Sequence, residues 1–117
     1  MVSHESALVV HDLSDAMPAR IHLTVPRGFQ KKAPKGVILH HKELPGTETE
    51  ERIGYRVTTP RQTLCDVADG ALGEELLQQA LKEALKRGLV RLKQINLNNM
   101  TAQGKMRMLM AIKALQE

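Results

Sequence analysis

The sequence predicts an α+β domain, built as an N-terminal helix, a small sheet of about four strands, and three or four C-terminal helices. Residues 20–25 alternate apolar and polar without a break, which is strand periodicity. Residues beyond 59 carry apolar stripes at helical spacing. Strand signals and helix signals therefore occupy separate stretches, and a chain of 117 residues suits one domain with one modest core.

The elements follow in order. Ser3 is an expected N-cap for a short helix over residues 4–13, with Ala7, Leu8, Val10 and Leu13 at usable spacing and Ser14, Asp15 and Pro18 ending the pattern. Over residues 20–25, Ile21, Leu23 and Val25 are expected on the buried face and Arg20, His22 and Thr24 on the other, with Pro26 as terminator. Residues 27–36 hold two glycines, one proline and four basic residues, an exposed loop; a second strand spans 37–40. Residues 47–53 and 55–57, hinged at Gly54, read as a hairpin. Thr59 before Pro60, with Gln62 at the third helical position, predicts a capped helix from 60 to about 69. After Gly70 and Gly73, the stripe Leu77, Ala80, Leu81, Ala84 and Leu85 predicts a helix over 74–87, stopped by Gly88. A short helix over 92–97, a break at 96–99, and a helix over 102–115 capped by Thr101 complete the chain, with Met108, Leu109, Ile112 and Leu115 as its stripe.

Composition narrows the function classes. One Phe, one Tyr and no Trp leave almost no aromatic platform for stacking single-stranded bases. Seventeen Lys and Arg against thirteen Asp and Glu give a net charge of +4, and the distribution is uneven. Residues 20–42 hold six bases and no acid, residues 43–75 eight acids against three Arg, and the stretch from Lys82 onward eight bases against Glu83 and Glu117. The single Cys65 excludes an internal disulfide and a cysteine-based zinc site. No apolar run approaches membrane-spanning length and no secretory signal is evident, so a cytoplasmic location without membrane contact is expected.

Catalytic motifs are sparse. The histidines His4, His11, His22, His40 and His41 fall in no metal-ligand spacing, so they are expected as structural residues, with no metal or cofactor. Glu50-Glu51-Arg52, with His40, is the nearest approach to a nuclease site, but Arg stays protonated and cannot act as base. A charged edge strand explains the same residues. Cys65 sits at a core position beside Leu64 and Val67, and no nucleophile elbow, Walker loop or dinucleotide fingerprint occurs. The basic residues Arg27, Lys31, Lys32 and Lys35 of the loop, with Lys82 and Lys86 one turn apart on a helix, form the candidate phosphate-binding surface. The Met106, Met108 and Met110 stripe suits core or a seam between copies of the chain, so a homo-oligomer is allowed.

Ser3-His4-Glu5-Ser6-Ala7-Leu8, His11-Asp12-Leu13-Ser14-Asp15, Pro18, and Ile21-His22-Leu23-Thr24-Val25-Pro26-Arg27-Gly28 occur in an order that resembles the C-terminal domain of AbiEi-type antitoxins and transcriptional regulators. The resemblance continues through Val57-Thr58-Thr59-Pro60, Thr63-Leu64 and Asp66 into the Ala-Leu-Lys run before Gly88, covering residues 2–95. It implies a non-enzymatic domain of a bacterial abortive-infection toxin–antitoxin system. The proteins it resembles repress their own operon and counter a nucleotidyltransferase-like toxin, so the resemblance implies such a toxin as partner, directly or indirectly. Family members usually carry a winged helix before this domain, which the resemblance implies is lacking here, and many carry Arg where this chain has Gln62. A nonspecific accessory DNA-binding module is the alternative expectation, and a degenerate nuclease-like domain a further one.

Overall fold

Backbone bonds made by residues 1–3 unite the sheet. The computed structural model describes residues 1–15, 17–95 and 97–116. Strand β1 (Ile21–Val25) pairs in parallel with β2 (Val37–His41), and β3 (Thr49–Arg52) pairs antiparallel with β4 (Tyr55–Thr58). Between the two pairs lies Val2, bridged antiparallel to Leu23 and parallel to Val57. Its amide donates to the Arg56 carbonyl at 2.8 Å and its carbonyl accepts from Thr58 N at 3.0 Å, while Ser3 N reaches the His22 carbonyl and Thr24 N the Met1 carbonyl. The strand order is therefore β2, β1, residues 1–3, β4, β3. Three residues are too few to show alternation, so this central strand has no signature in sequence.

Helix α1 (His4–Val10) follows directly and covers one face of that sheet. It is shorter than the expected 4–13 because the chain turns at Asp12, whose φ is +56°. Leu13 N bonds to Leu8 O and Asp12 N to Val9 O, a Schellman ending with Asp in the usual glycine place, and Leu8 and Leu13 meet in the core. Ser3 occupies the N-cap position but its hydroxyl does not cap. It accepts instead from Thr24 Oγ1 at 2.7 Å, tying the helix start to β1.

The two faces of β1 are reversed relative to expectation. His22 and Thr24 are buried at 8% and 4% exposure, and Ile21 stands 55% exposed. Alternation locates two faces without saying which one a helix will cover. Here α1 presents Ser3, Glu5 and Ser6 to the polar face, and each buried polar group finds a partner there. Ile21, Leu23, Val25, Val37 and Leu39 share the opposite face.

The hairpin forms as expected, with Gly54 at φ +86° in its turn and a 3₁₀ turn (Gly46–Glu48) leading into it. Helix α2 (Pro60–Asp69) begins at Pro60, and the Thr59 hydroxyl accepts from Gln62 N at 3.2 Å. The reciprocal half of the capping box is absent: Thr59 N donates to the Glu48 carbonyl and the Gln62 side chain to Asp66. Helix α3 (Glu74–Lys86) buries Leu77, Ala80, Leu81 and Ala84, and ends in a second Schellman turn at Gly88, φ +73°. Among the described residues of 92–97 there is no α-helix: two 3₁₀ turns (Leu92–Gln94 and Leu97–Asn99) form on either side of residue 96, which lies outside the described residues.

Helix α4 (Ala102–Gln116) is capped by Thr101, whose hydroxyl accepts from Gly104 N at 3.0 Å. Its buried stripe is Gly104, Met108 and Ala111, with Ile112 and Leu115 half-buried. Leu109 lies outside it with Met106 and Met110, all at least half exposed. Leu8, Leu64, Leu77, Leu81 and Met108 are fully buried and anchor the core, each contributing about 1.5–3 kcal/mol by burial. Cys65 lies within this core, as expected for a helix-interior thiol. Two arginines lock helix ends. Arg87 Nη1 donates to the carbonyls of His11 and Asp12 beyond α1, and Arg107 donates to those of Ala68, Gly70 and Leu72 at the end of α2. Among the described residues no helix is long and apolar enough to cross a membrane.

Candidate functional site

Three histidines from three elements stack at the start of α1. The His4 and His40 ring centroids lie 3.5 Å apart at 11° to one another, and His22 and His40 lie 5.3 Å apart at 16°. The parallel register sets Thr24 beside His40 and keeps His22 and His40 on the helix-facing side of the sheet. His4 enters from α1 with φ +52°, a backbone region in which histidine is more common than most residues.

The hydrogen bonds assign the protons. An ionised Glu5 only accepts, so His22 Nε2 donates to Oε2 at 3.1 Å; His22 Nδ1 then accepts from His40 Nε2 at 3.0 Å. On the other side Thr24 donates to the Ser3 hydroxyl, which donates to His4 Nδ1 at 2.8 Å. In these bonds the accepting nitrogens are His4 Nδ1 and His22 Nδ1, while His40 Nε2 donates. Burial, reinforced by His40, His22 and Lys42, pushes His4 down to about 3, and burial with His22 and His41 also lowers His40. The line from Glu5 through His22 to His40 can pass a proton along its length. The rings lie face to face instead of aiming nitrogens at one centre, and among the described residues no three His, Cys, Asp or Glu side chains are placed to hold a metal ion.

Beside this cluster Lys42 leads to Asp66. Its ammonium lies 3.6 Å from Asp66 Oδ1, which also accepts from Gln62 Nε2 at 2.8 Å. Oδ2 of Asp66 is buried without a hydrogen-bond partner. Burial pushes the Asp66 carboxyl up to about 6, against the pull of Gln62 and Lys42. The other motif residues join elements in the same manner. His11 Nε2 donates to the Thr58 carbonyl at 2.7 Å, and the Thr58 and Thr63 hydroxyls bond at 2.7 Å. Pro60 is buried at the first position of α2 under the Thr59 cap, while Pro26 and Asp15 are exposed.

The expected basic residues fall in three places. Arg27, Lys42, Arg61, Gln62, Glu43 and Glu48 line a cleft of about 550 Å³. In it Glu43 accepts from the Arg27 amide and Glu48 pairs with Arg61. Lys82 and Lys86 line a different depression with Asp12, Asp15 and Glu83. Lys31, Lys32 and Lys35 are exposed on the loop between β1 and β2. The nuclease arrangement is not assembled. Glu50 and Glu51 point to opposite faces of β3, Glu50 pairs with Arg52, and β2 with His40 is the far edge of the sheet, four strand spacings or about 19 Å away. The Glu5, His22 and His40 line escapes sequence reading because it depends on the register between β1 and β2.

The chain matches no protein-family model and no curated protein sequence.

Proposed function

We propose that the chain is a non-enzymatic regulatory domain of the AbiEi antitoxin type, acting through binding to a partner in the bacterial cytoplasm. One observation supports this reading above others: the residues that carry the resemblance act as couplings between elements. Ser3 joins β1, His11 and Thr63 join β4, Thr59 caps α2, and Asp66 gathers Gln62 and Lys42. Motif residues used in this way specify a scaffold, and its function then resides on the exposed surface. The expected partner is a nucleotidyltransferase-like toxin, countered directly or indirectly. Co-expression with the toxin encoded beside the gene tests this: restored growth supports it, and continued arrest at equal protein levels rejects it.

A second role is favoured by the loop between β1 and β2. Lys31, Lys32 and Lys35 are exposed there, with no ion pair among the described residues, and suit contact with nucleic-acid phosphates. Fluorescence anisotropy with duplex DNA should then show binding that collapses as salt rises, and the Lys31→Glu, Lys32→Glu double variant should flatten that salt dependence. Equal affinity of the variant and the parent at low salt would reject the role.

A further inference from the structure

Strand β2 forms one edge of the sheet and pairs with β1 alone. Val37 through His40 are half-buried and His41 is exposed, so no fully buried side chain secures it. Besides the ladder, two polar side-chain attachments hold residues 37–42 among the described residues. His40 stacks on His4 of α1 and bonds to His22 of β1, and Lys42 lies 3.6 Å from Asp66 of α2. Glu43, past the strand, adds an exposed bond to the Arg27 amide.

Both attachments weaken when protons are added. His22 Nδ1 and His40 Nε2 face one another at 3.0 Å and share one proton. One further proton is accommodated: with Glu5 still accepting from His22 Nε2, His22 Nδ1 donates to His40 Nε2 and the bond only reverses direction. A second puts N–H groups on both facing nitrogens, which cannot bond, and a cation on a ring centred 3.5 Å from that of His4. Burial, with His22 and His41 beside it, holds His40 below its ordinary value, and burial with His40, His22 and Lys42 pushes His4 down to about 3. At the other attachment Asp66, raised chiefly by burial with Asp69 adding to it, takes a proton near 6 while Gln62 keeps its bond, and Lys42 then loses the charge it pairs with.

We propose that acid releases β2 from the sheet in a local opening, the cluster of His4, His22 and His40 serving as a latch that holds one added proton and gives way on the second. In the open strand His4 and His40 regain water and their ordinary affinity for protons, so opening takes up protons and is favoured as pH falls below about 6.5. Each proton taken up raises the opening constant by about tenfold per pH unit.

Hydrogen exchange of the full chain, followed by NMR from pH 7.5 down to 5, tests the latch. The amides of Ile38, His40 and Lys42 point at β1 in the parallel ladder. Their protection factors should fall by about tenfold or more per pH unit below about 6.5, and lie at every pH below those of Leu77 and Leu81 in α3. His40→Gln keeps a donor toward His22 without titrating and should flatten that slope. Glu5→Gln removes the carboxylate that lets the closed cluster hold its first proton, so release should begin at higher pH than in the parent. Protection in β2 equal to that in α3 throughout overturns the proposal, since the strand then opens only when the whole chain unfolds. So does a parent without pH dependence in β2, or a slope and onset that neither variant moves.

Discussion

Asp69 occupies the space that a side chain at Gly104 would need. A Cβ built on Gly104 would lie 1.7 Å from Oδ1 of Asp69 and 3.1 Å from its Cα. That same oxygen accepts from Thr101 N at 3.0 Å and Thr101 Oγ1 at 2.9 Å, so the last residue of α2 fixes the first turn of α4. The carboxylate also faces the positive end of the α4 dipole.

Gly104→Ala should therefore lower stability by about 1–3 kcal/mol, an overpacking cost, although alanine is the better helix former. Asp69→Ala should cost about 1 kcal/mol through loss of the cap. The double variant should be more stable than the sum of the two losses predicts, because the clash disappears with the carboxylate. Urea denaturation of the four proteins measures the coupling, and simple additivity would contradict the contact.

Arg107 holds the chain between α2 and α3 against α4 through the carbonyls of Ala68, Gly70 and Leu72. Arg107→Met keeps the apolar stem and should cost about 2–3 kcal/mol, as charged hydrogen bonds are lost. Arg107→Lys should recover only a minor part, since an ammonium cannot span acceptors that a planar guanidinium reaches together. Thermal melts of both variants provide the comparison.

The histidine stack should make the fold acid-sensitive. With His4 near 3 and His40 also below its ordinary value, the unfolded chain binds protons near 6.5 that the folded chain refuses. The contribution is fully present above about 6.5 and declines as pH falls toward 3. His4→Asn, which tolerates the positive φ, should narrow the difference between urea midpoints measured at pH 7 and pH 4.5.

Asp66 acts with the opposite sign. Its carboxyl titrates near 6 when folded and near 3.8 when unfolded, so its contribution is present at low pH and lost as pH rises through about 6. Asp66→Asn should remove that loss and raise stability at pH 7.5 relative to pH 5. Gln62→Arg, one helical turn away, should pull the carboxyl down by about 1–3 pH units by supplying a charge. NMR titration of the Asp66 carboxyl carbon checks it, and an unmoved midpoint would show that the guanidinium does not reach.

The fold is legible in the sequence wherever local chemistry decides. Thr59, Pro60 and Gly88 mark α2 and α3, and Gly54 marks the hairpin, because caps and turns are written in adjacent residues. The buried faces of β1 are not, since hydrophobic alternation alone cannot reveal that α1 offers Ser3, Glu5 and Ser6 as partners for Thr24 and His22. Leu109 fits the helical stripe of α4 yet stays exposed because Gly104 and Ala111 set the contact face. The candidate site is less legible still. His4, His22 and His40 are visible as residues, but their stacking requires α1, β1 and β2 to be in place together.

The central position of Val2 also bears on the order of folding. Its two neighbours in the sheet, Leu23 and Val57, are distant in sequence, and neither can be joined to it without closing a long loop. The contacts between α2 and α4, such as Asp69 with Thr101 and Ala68 with Arg107, close sequence separations of 32 and 39, shorter than the one from Val2 to Val57. The helical half can therefore form before Val2 reaches Val57, and refolding should be slowed by the capture of a three-residue segment that closes this longer loop.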